Sequence, residues 1–199
     1  MKIIVIGATG TIGTAIVKKL REEHDVISVG SKSGDYQLDL TSPVEIEKMF
    51  KRIDNVDAVV SATGSASFEK LENMTPELNA VAVQSKLLGQ INLVLIGQHY
   101  LNENGSFTLT TGVMMDDPIL QGSSAAMANG GVAAFIKSAA IELKKGIRIN
   151  SVSPTIVEES LAVYGDFFKG FNPVPVDRVA NAYIKSVEGA QTGQNYRIY

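Results

Sequence analysis

No cysteine occurs in this chain. That absence removes a disulfide framework, a thiolate nucleophile and any cysteine-based zinc site. Histidine is nearly as scarce: His24 and His99 are the only two, too few for a histidine-rich metal centre. Positive charge is not concentrated either. The 18 Lys and Arg residues are scattered among 21 acids for a net charge of −3, with no basic stripe for nucleic acid and no polybasic patch for a membrane surface. No uninterrupted apolar run approaches the roughly 18 residues that cross a bilayer. The opening MKIIVIGATG is a short apolar stretch running into glycines, without the cleavage pattern of a secretory leader. A cytoplasmic protein is expected, with no metal, no nucleic-acid partner and no membrane contact. No linker-like tract, charge block or repeat divides the 199 residues, so residues 1–199 read as a single domain with a sizeable core.

What is present is an alternation of strand and helix signals. KIIVIG, DVISVG, VDAVVSATG, GSFTLTTG, IRINSVSP and NYRIY are short apolar or β-branched runs that read as strands. Between them lie helical patterns. TIGTAIVKKLREE carries Ile12, Ile16, Val17 and Leu20 on one face. In TSPVEIEKMFKRI, Ser42 is placed to cap, Pro43 suits the first helical position and Glu45 completes a capping box. Thr75-Pro76 starts a long helix that the periodicity carries to about Tyr100. Two more helices follow, one over Ser123 to Leu143 and one beginning near Asp177. Parallel strands need crossovers, so the pattern predicts an α/β fold with a doubly wound parallel sheet. The stretch at about 158–175, EESLAVYGDFFKGFNP and its flanks, is irregular and rich in aromatics and glycine. It is expected to form a small lid-like insertion beyond the carboxyl ends of the strands, where such sheets bind ligands.

GATGTIG sets glycines at 7, 10 and 13, after a strand and at the opening of a helix. That context fits a dinucleotide loop: Gly7 for the tight turn, Gly10 for close approach of a pyrophosphate, Gly13 for helix–strand packing. The amino end of the helix, from Thr11, offers free N–H groups to phosphate. At the end of the second strand, Gly30, Ser31, Lys32 and Ser33 stand where an acid would bind the ribose hydroxyl of NAD. Asp35 follows too late in the turn. Hydroxyls and a cation there favour the 2′-phosphate of NADP(H), with NAD(H) the alternative.

These pieces together resemble the short-chain dehydrogenase/reductase family over nearly the whole chain. The resemblance rests on GATGTIG, LDLTSP, VVSATG, GVAAFIKSAAIEL, IRINSVSP and the carboxyl TGQNYRIY. It implies a Rossmann-type sheet, a nicotinamide cofactor and a homodimer or homotetramer. Position by position, it implies that Gly7, Thr9, Gly10, Ile12 and Gly13 line the pyrophosphate. Asp39 and Leu40 would meet the adenine, Ala62, Thr63 and Gly64 the cofactor ribose, and Pro154 and Ile156 the nicotinamide.

The departures from the family pattern are as informative. Its catalytic tyrosine and lysine fall on Ala125 and Asn129, its active-site serine on Thr111, and the asparagine of its fourth large helix on Lys86. The glycine after Pro154 is Thr155, and the carboxamide-holding threonine is Glu159. Alanine cannot pass a proton, and asparagine cannot depress the pKa of a phenol. Any replacement must come from elsewhere. Lys86 either approaches the site, to orient a carboxylate or stabilise an alkoxide, or turns to solvent. Tyr164 is either a proton donor over the nicotinamide or an aromatic anchor of the lid. Thr111 can hydrogen-bond a carbonyl but is a poor acid. Asp116-Asp117, followed by Pro118, reads as a turn or helix start, and Met114, Met115 and Met127 as core or pocket lining. Gly130-Gly131 weakens its helix by about 1 kcal/mol per glycine relative to alanine, a cost that close packing or a bend would explain, and the resemblance implies that this helix and the preceding long one form a dimer interface. The expectation is an NADP(H)-binding oxidoreductase acting on a small carbonyl or alcohol substrate with Thr111, Lys86 and Tyr164 as its non-standard residues. The alternative is a non-catalytic NADP(H)-sensing protein.

Overall fold

The computed structural model describes residues 1–199. Seven strands form one parallel sheet in the order β3-β2-β1-β4-β5-β6-β7. They are β1 (Lys2–Ile6), β2 (Asp25–Gly30), β3 (Tyr36–Gln37), β4 (Val56–Ser61), β5 (Leu101–Thr110), β6 (Arg148–Pro154) and β7 (Asn195–Ile198). The helices that cross between them are α1 (Thr11–Leu20), α2 (Pro43–Arg52), α3 (Pro76–Val81), α4 (Gln90–Gly97), α5 (Ser123–Glu142), the short α6 (Leu161–Tyr164) and α7 (Val176–Glu188). The strand order reverses beside β1, between β2 and β4, and a sheet of this kind opens its ligand crevice at that point.

The period-two alternation of β1 decides the layers. Ile4 and Ile6 join Ile46, Phe50, Leu93, Phe107 and Ile136 on the face covered by α2, α4 and α5. Ile3 and Val5 join Ile16, Leu20, Val179 and Tyr183 on the face covered by α1 and α7. Both faces are covered, which is why the central strands read as continuous apolar runs.

The structure amends several sequence-based expectations. The two-residue β3 pairs with β2 through Val29↔Tyr36 and Gly30↔Gln37, too short a strand for any alternation to reveal. Ser42 does accept a hydrogen bond from Glu45 N–H, and Pro43 opens α2. The capping box is only half formed, because the Glu45 carboxylate instead accepts from Asp39 N–H at 2.8 Å. The long helix spans Pro76–Gly97, but its middle, Ala82–Gly89, is wound as a π-helix between α3 and α4. By length and composition this helix is apolar enough to cross a membrane. In the fold it lies on the sheet, with Leu93 and Val94 in the core and Val81, Leu88 and Leu95 exposed.

Candidate functional site

The site is built around the turn from β1 into α1. Gly7 has φ +78°, and a Cβ there would fall 2.5 Å from the Ala62 carbonyl oxygen. At Gly13 a Cβ would sit 2.0 Å from the Gly7 oxygen. These two glycines let β1, β4 and α1 converge. Gly10 differs: a Cβ would meet only the Gly7 oxygen, at 3.5 Å, so that side is open to a ligand. α1 starts at Thr11 with no side-chain cap, which leaves its first-turn amides available to an anion. The residues present therefore fit a dinucleotide.

On the β2 side of this turn lies a groove of about 380 Å³. Gly7, Thr9, Gly10, Ser31, Asp39, Leu40, Ala62 and Thr63 line it, all anticipated from the sequence, together with Thr41, Ser65 and Ser85, which were not. Lys32 and Ser33 are exposed beside the groove and outside its lining. The Asp39 carboxylate accepts from Thr41 N–H and from its hydroxyl, which lower its pKa. Asp35 is consumed by Ser28, accepting from its N–H at 2.9 Å and its hydroxyl at 2.7 Å. No free acid stands at the end of β2.

A second cavity, of about 290 Å³, opens on the other side of the turn, where Ile12 lines it. Pro154, Ile156, Lys86, Thr111 and Tyr164 are all brought to this one cavity. Most of its wall is apolar, including Val113, Met114, Val157, Phe68 and Phe168. Lys86 is half-buried, and no carboxylate pairs with its ammonium. Burial away from water pulls its pKa down to about 8. Its backbone is held from two sides. The fully buried Gln90 donates to the Lys86 carbonyl at 2.9 Å and to the Thr110 carbonyl at 2.8 Å, and accepts from Thr110 N–H at 2.8 Å. Gly64, at φ +126°, packs so closely that a Cβ would lie 2.9 Å from Lys86 Cα. Sequence reasoning missed Gln90. Its place four residues after Lys86 becomes meaningful only once β5 is seen to pass beside it.

The other residues singled out from the sequence have definite places. The Thr111 hydroxyl donates to Asn195 Oδ1 at 3.1 Å and is buried. Ala125 and Asn129 are buried in α5, and the Asn129 amide has no hydrogen-bond partner. Both oxygens of Glu159 accept from Val176 N–H at 3.0 and 3.2 Å, so this carboxylate caps α7. Asp116 is tied to the carboxyl end, accepting from Arg197 at 3.0 Å and from the Tyr199 hydroxyl at 2.6 Å. The expectation of a simple turn residue overlooked that long-range role. Tyr164 is 47% exposed at the cavity mouth. Its segment is pinned at the base by the Val157↔Val174 bridge and across the mouth by Phe167 against Phe68, ring centroids 5.8 Å apart. A larger open hollow of about 520 Å³, between 69–72 and 118–123, shares no residue with either cavity.

Comparison with known proteins agrees with this geometry. The family model described as enoyl-(acyl carrier protein) reductase matches residues 7–187. An uncharacterised oxidoreductase of Schizosaccharomyces pombe is 29% identical over 171 residues, covering 78% of this chain. The match spans 65% of that relative's own length. Among solved structures, the protein lin1944 from Listeria innocua is 58% identical over the whole of both chains, with a TM-score of 0.99. A small-chain dehydrogenase in complex with NADPH shares the fold at TM-score 0.89 and 23% identity, over 100% of this chain and 96% of the other.

Proposed function

This chain belongs to the short-chain dehydrogenase/reductase family, and on that premise we propose that it is an NADP(H)-binding oxidoreductase that interconverts a small carbonyl compound and its alcohol. The carrying observation is that Lys86 lines an apolar cavity adjoining the glycine turn, in a fold whose usual tyrosine and lysine positions are Ala125 and Asn129. When bound, reduced nicotinamide supplies hydride to the carbonyl carbon and is itself oxidised.

In this reading the chain's own residues do the rest. The first-turn amides of α1 hold the pyrophosphate. Gly7, Thr9, Gly10, Thr11, Ile12 and Gly13 form its cradle, Asp39 and Leu40 meet the adenine, and Ala62, Thr63 and Gly64 follow the ribose. Pro154 and Ile156 flank the nicotinamide. The Lys86 ammonium stabilises negative charge growing on the substrate oxygen. Tyr164, or water at the open mouth, delivers the proton. Thr111 donates its O–H to Asn195, so it does not donate to a substrate carbonyl as the sequence suggested; its two lone pairs accept from the hydroxyl of the alcohol form. A missing built-in acid typically costs ~10²–10⁴-fold in rate, so turnover slower than that of tyrosine-bearing relatives is expected.

NADP(H) is favoured over NAD(H). Ser31 lines the groove, Lys32 stands beside it, and Asp35 is engaged with Ser28. The related dehydrogenase in complex with NADPH supports the same choice. Residues 1–199 act as one domain, the segment at about 158–175 serves as a lid, and the working form is a cytoplasmic homodimer or homotetramer. A second reading, an NADP(H)-sensing protein without turnover, is favoured by the loss of both usual catalytic residues. Titration with NADPH and with NADH, followed by nicotinamide emission, tests both; the chain has no tryptophan to interfere. Tighter NADPH binding, followed by NADPH consumption with small carbonyl compounds, supports the oxidoreductase. Binding without any consumption favours the sensor, and absence of binding removes both.

A further inference from the structure

We infer that Lys86 makes this cavity a receptor for 2-oxo acids with an apolar side chain, or for the corresponding 2-hydroxy acids. The inference deepens the proposed function and rests on it for the chemistry, though not for the binding.

A lysine is normally solvated or paired, because desolvating an ammonium is unfavourable. Lys86 is neither fully solvated nor paired within the protein. Its backbone is held in place: Gln90 donates to its carbonyl, a Cβ at Gly64 would lie within about 3.0 Å of its Cα, Cβ and Cγ, and it sits within the π-wound segment Ala82–Gly89. Such π-winding inside α-helices is frequent at functional sites, and the extra residue per turn re-aims a side chain. An unpaired cation lining a mostly apolar pocket is complementary to an anion with a hydrocarbon body. Thr155 lines the same cavity, and its hydroxyl has no partner in the protein. It is a further donor there, beside the hydroxyls of Ser160 and Tyr164.

The choice of a 2-oxo acid follows from having one cation. An ammonium carries three donors, so a single Lys86 can hold a carboxylate oxygen and the neighbouring keto oxygen together when the two are adjacent in the substrate. The same contact then serves both recognition and the charge that develops on the keto oxygen. The rest of the wall is mostly apolar, with Val113, Met114, Ile156, Val157 and Phe168, and suits an alkyl or aryl side chain. No competing charge intervenes. Tyr164 is the only other titratable side chain lining the cavity, and the neighbouring Gly64, Gln90, Thr110 and Thr155 are uncharged.

The test is calorimetric binding of 2-oxoisocaproate, its methyl ester and methyl isobutyl ketone to the protein with and without NADPH, in wild type, Lys86→Met and Lys86→Arg. The acid should bind the NADPH-loaded protein at least tenfold more tightly than the ester or the ketone. Lys86→Met should weaken the acid by about thirtyfold and the ketone, which loses only the contact to its oxygen, by less than about threefold. Lys86→Arg should recover most of the loss. Affinity for the acid should fall as pH rises through about 8, where Lys86 gives up its proton, and that trend should vanish in Lys86→Met. NADPH binding by Lys86→Met, read from nicotinamide emission, shows that the variant is folded. If NADPH binds but the ester or ketone equals the acid, or Lys86→Met binds the acid as wild type does, the inference is overturned and the oxidoreductase reading stands. If NADPH does not bind, that reading fails. Lys86-dependent binding of the acid to the cofactor-free protein would then still support the inference, and its absence would overturn it.

Discussion

Gly13 is the position with the least room in the cofactor turn, since a single methyl there would overlap the Gly7 carbonyl at 2.0 Å and the Gly7 carbon at 2.7 Å. Both are backbone atoms, so the strain cannot be relieved by a rotamer change. Gly13→Ala is expected to lose about 1–3 kcal/mol of stability from overpacking and more than tenfold in NADPH affinity, measured by urea unfolding and by nicotinamide emission. Lys86 gives a prediction of opposite character. Its pKa falls from 10.5 when unfolded to about 8 when folded, so between those values the unfolded chain binds the extra proton. Stability therefore rises with pH across that window. Below about 8 the ammonium is charged in both states and its desolvation fully opposes folding; above 10.5 that opposition is gone. Relative to Lys86→Met, the wild type should gain on the order of 2 kcal/mol between pH 7 and pH 10, visible as converging urea midpoints.

At the scale of elements, the helix Pro76–Gly97 supplies one wall of the site and depends on a buried amide for its placement. Gln90 joins Lys86 on the helix to Thr110 at the end of β5 through three hydrogen bonds. Gln90→Leu keeps the volume but strands the Thr110 N–H and two carbonyls, so a loss of about 2–4 kcal/mol is expected. Because the cofactor groove is lined mainly from the ends of β1, β2 and β4, with Ser85 its one residue from this helix, NADPH affinity should change by less than about threefold while affinity for the 2-oxo acid falls more than tenfold. Equal losses for both ligands would show that Gln90 holds the whole crevice rather than Lys86. The segment proposed as a lid is arranged differently. Glu158 N–H donates to the Val174 carbonyl and Val174 N–H to the Ile156 carbonyl, so its ends are fixed while Leu161, Val163 and Tyr164 stay exposed.

For the whole molecule, the outer faces of the helix Pro76–Gly97 and of α5 share a groove of about 190 Å³ lined by Leu95, Phe135, Ala139 and Leu143, with Gln98, Ser138 and Glu142 at its polar side. Leu88, Leu95 and Met127 are exposed on the same two helices. Exposed apolar residues grouped in this way are in keeping with the proposed homodimer. Leu88→Glu combined with Leu95→Glu should convert a dimer to a monomer in sedimentation equilibrium, with the cofactor groove intact. A monomeric wild type would refute the association. At the carboxyl end, Arg197 and Tyr199 reach Asp116, so the last residues brace the loop that carries Val113 and Met114 into the cavity.

The sequence alone determined the parts set by near neighbours. Short continuous apolar runs specify strands, 3.6-residue spacing specifies helices, Ser42-Pro43 starts α2, and glycines at 7, 10 and 13 specify the turn into α1, because each rests on the local geometry of a few consecutive residues. What only the tertiary structure decided depends on partners far apart in the chain. Glu45 turns to Asp39, Glu159 caps α7, Asp116 meets the last strand, and two-residue β3 exists because β2 lies alongside. Lys86 belongs to this second group. Its sequence neighbours SKLLG do not say whether it faces water or the cavity. Gln90, Thr110 and Gly64, drawn from a helix and the ends of two strands, do.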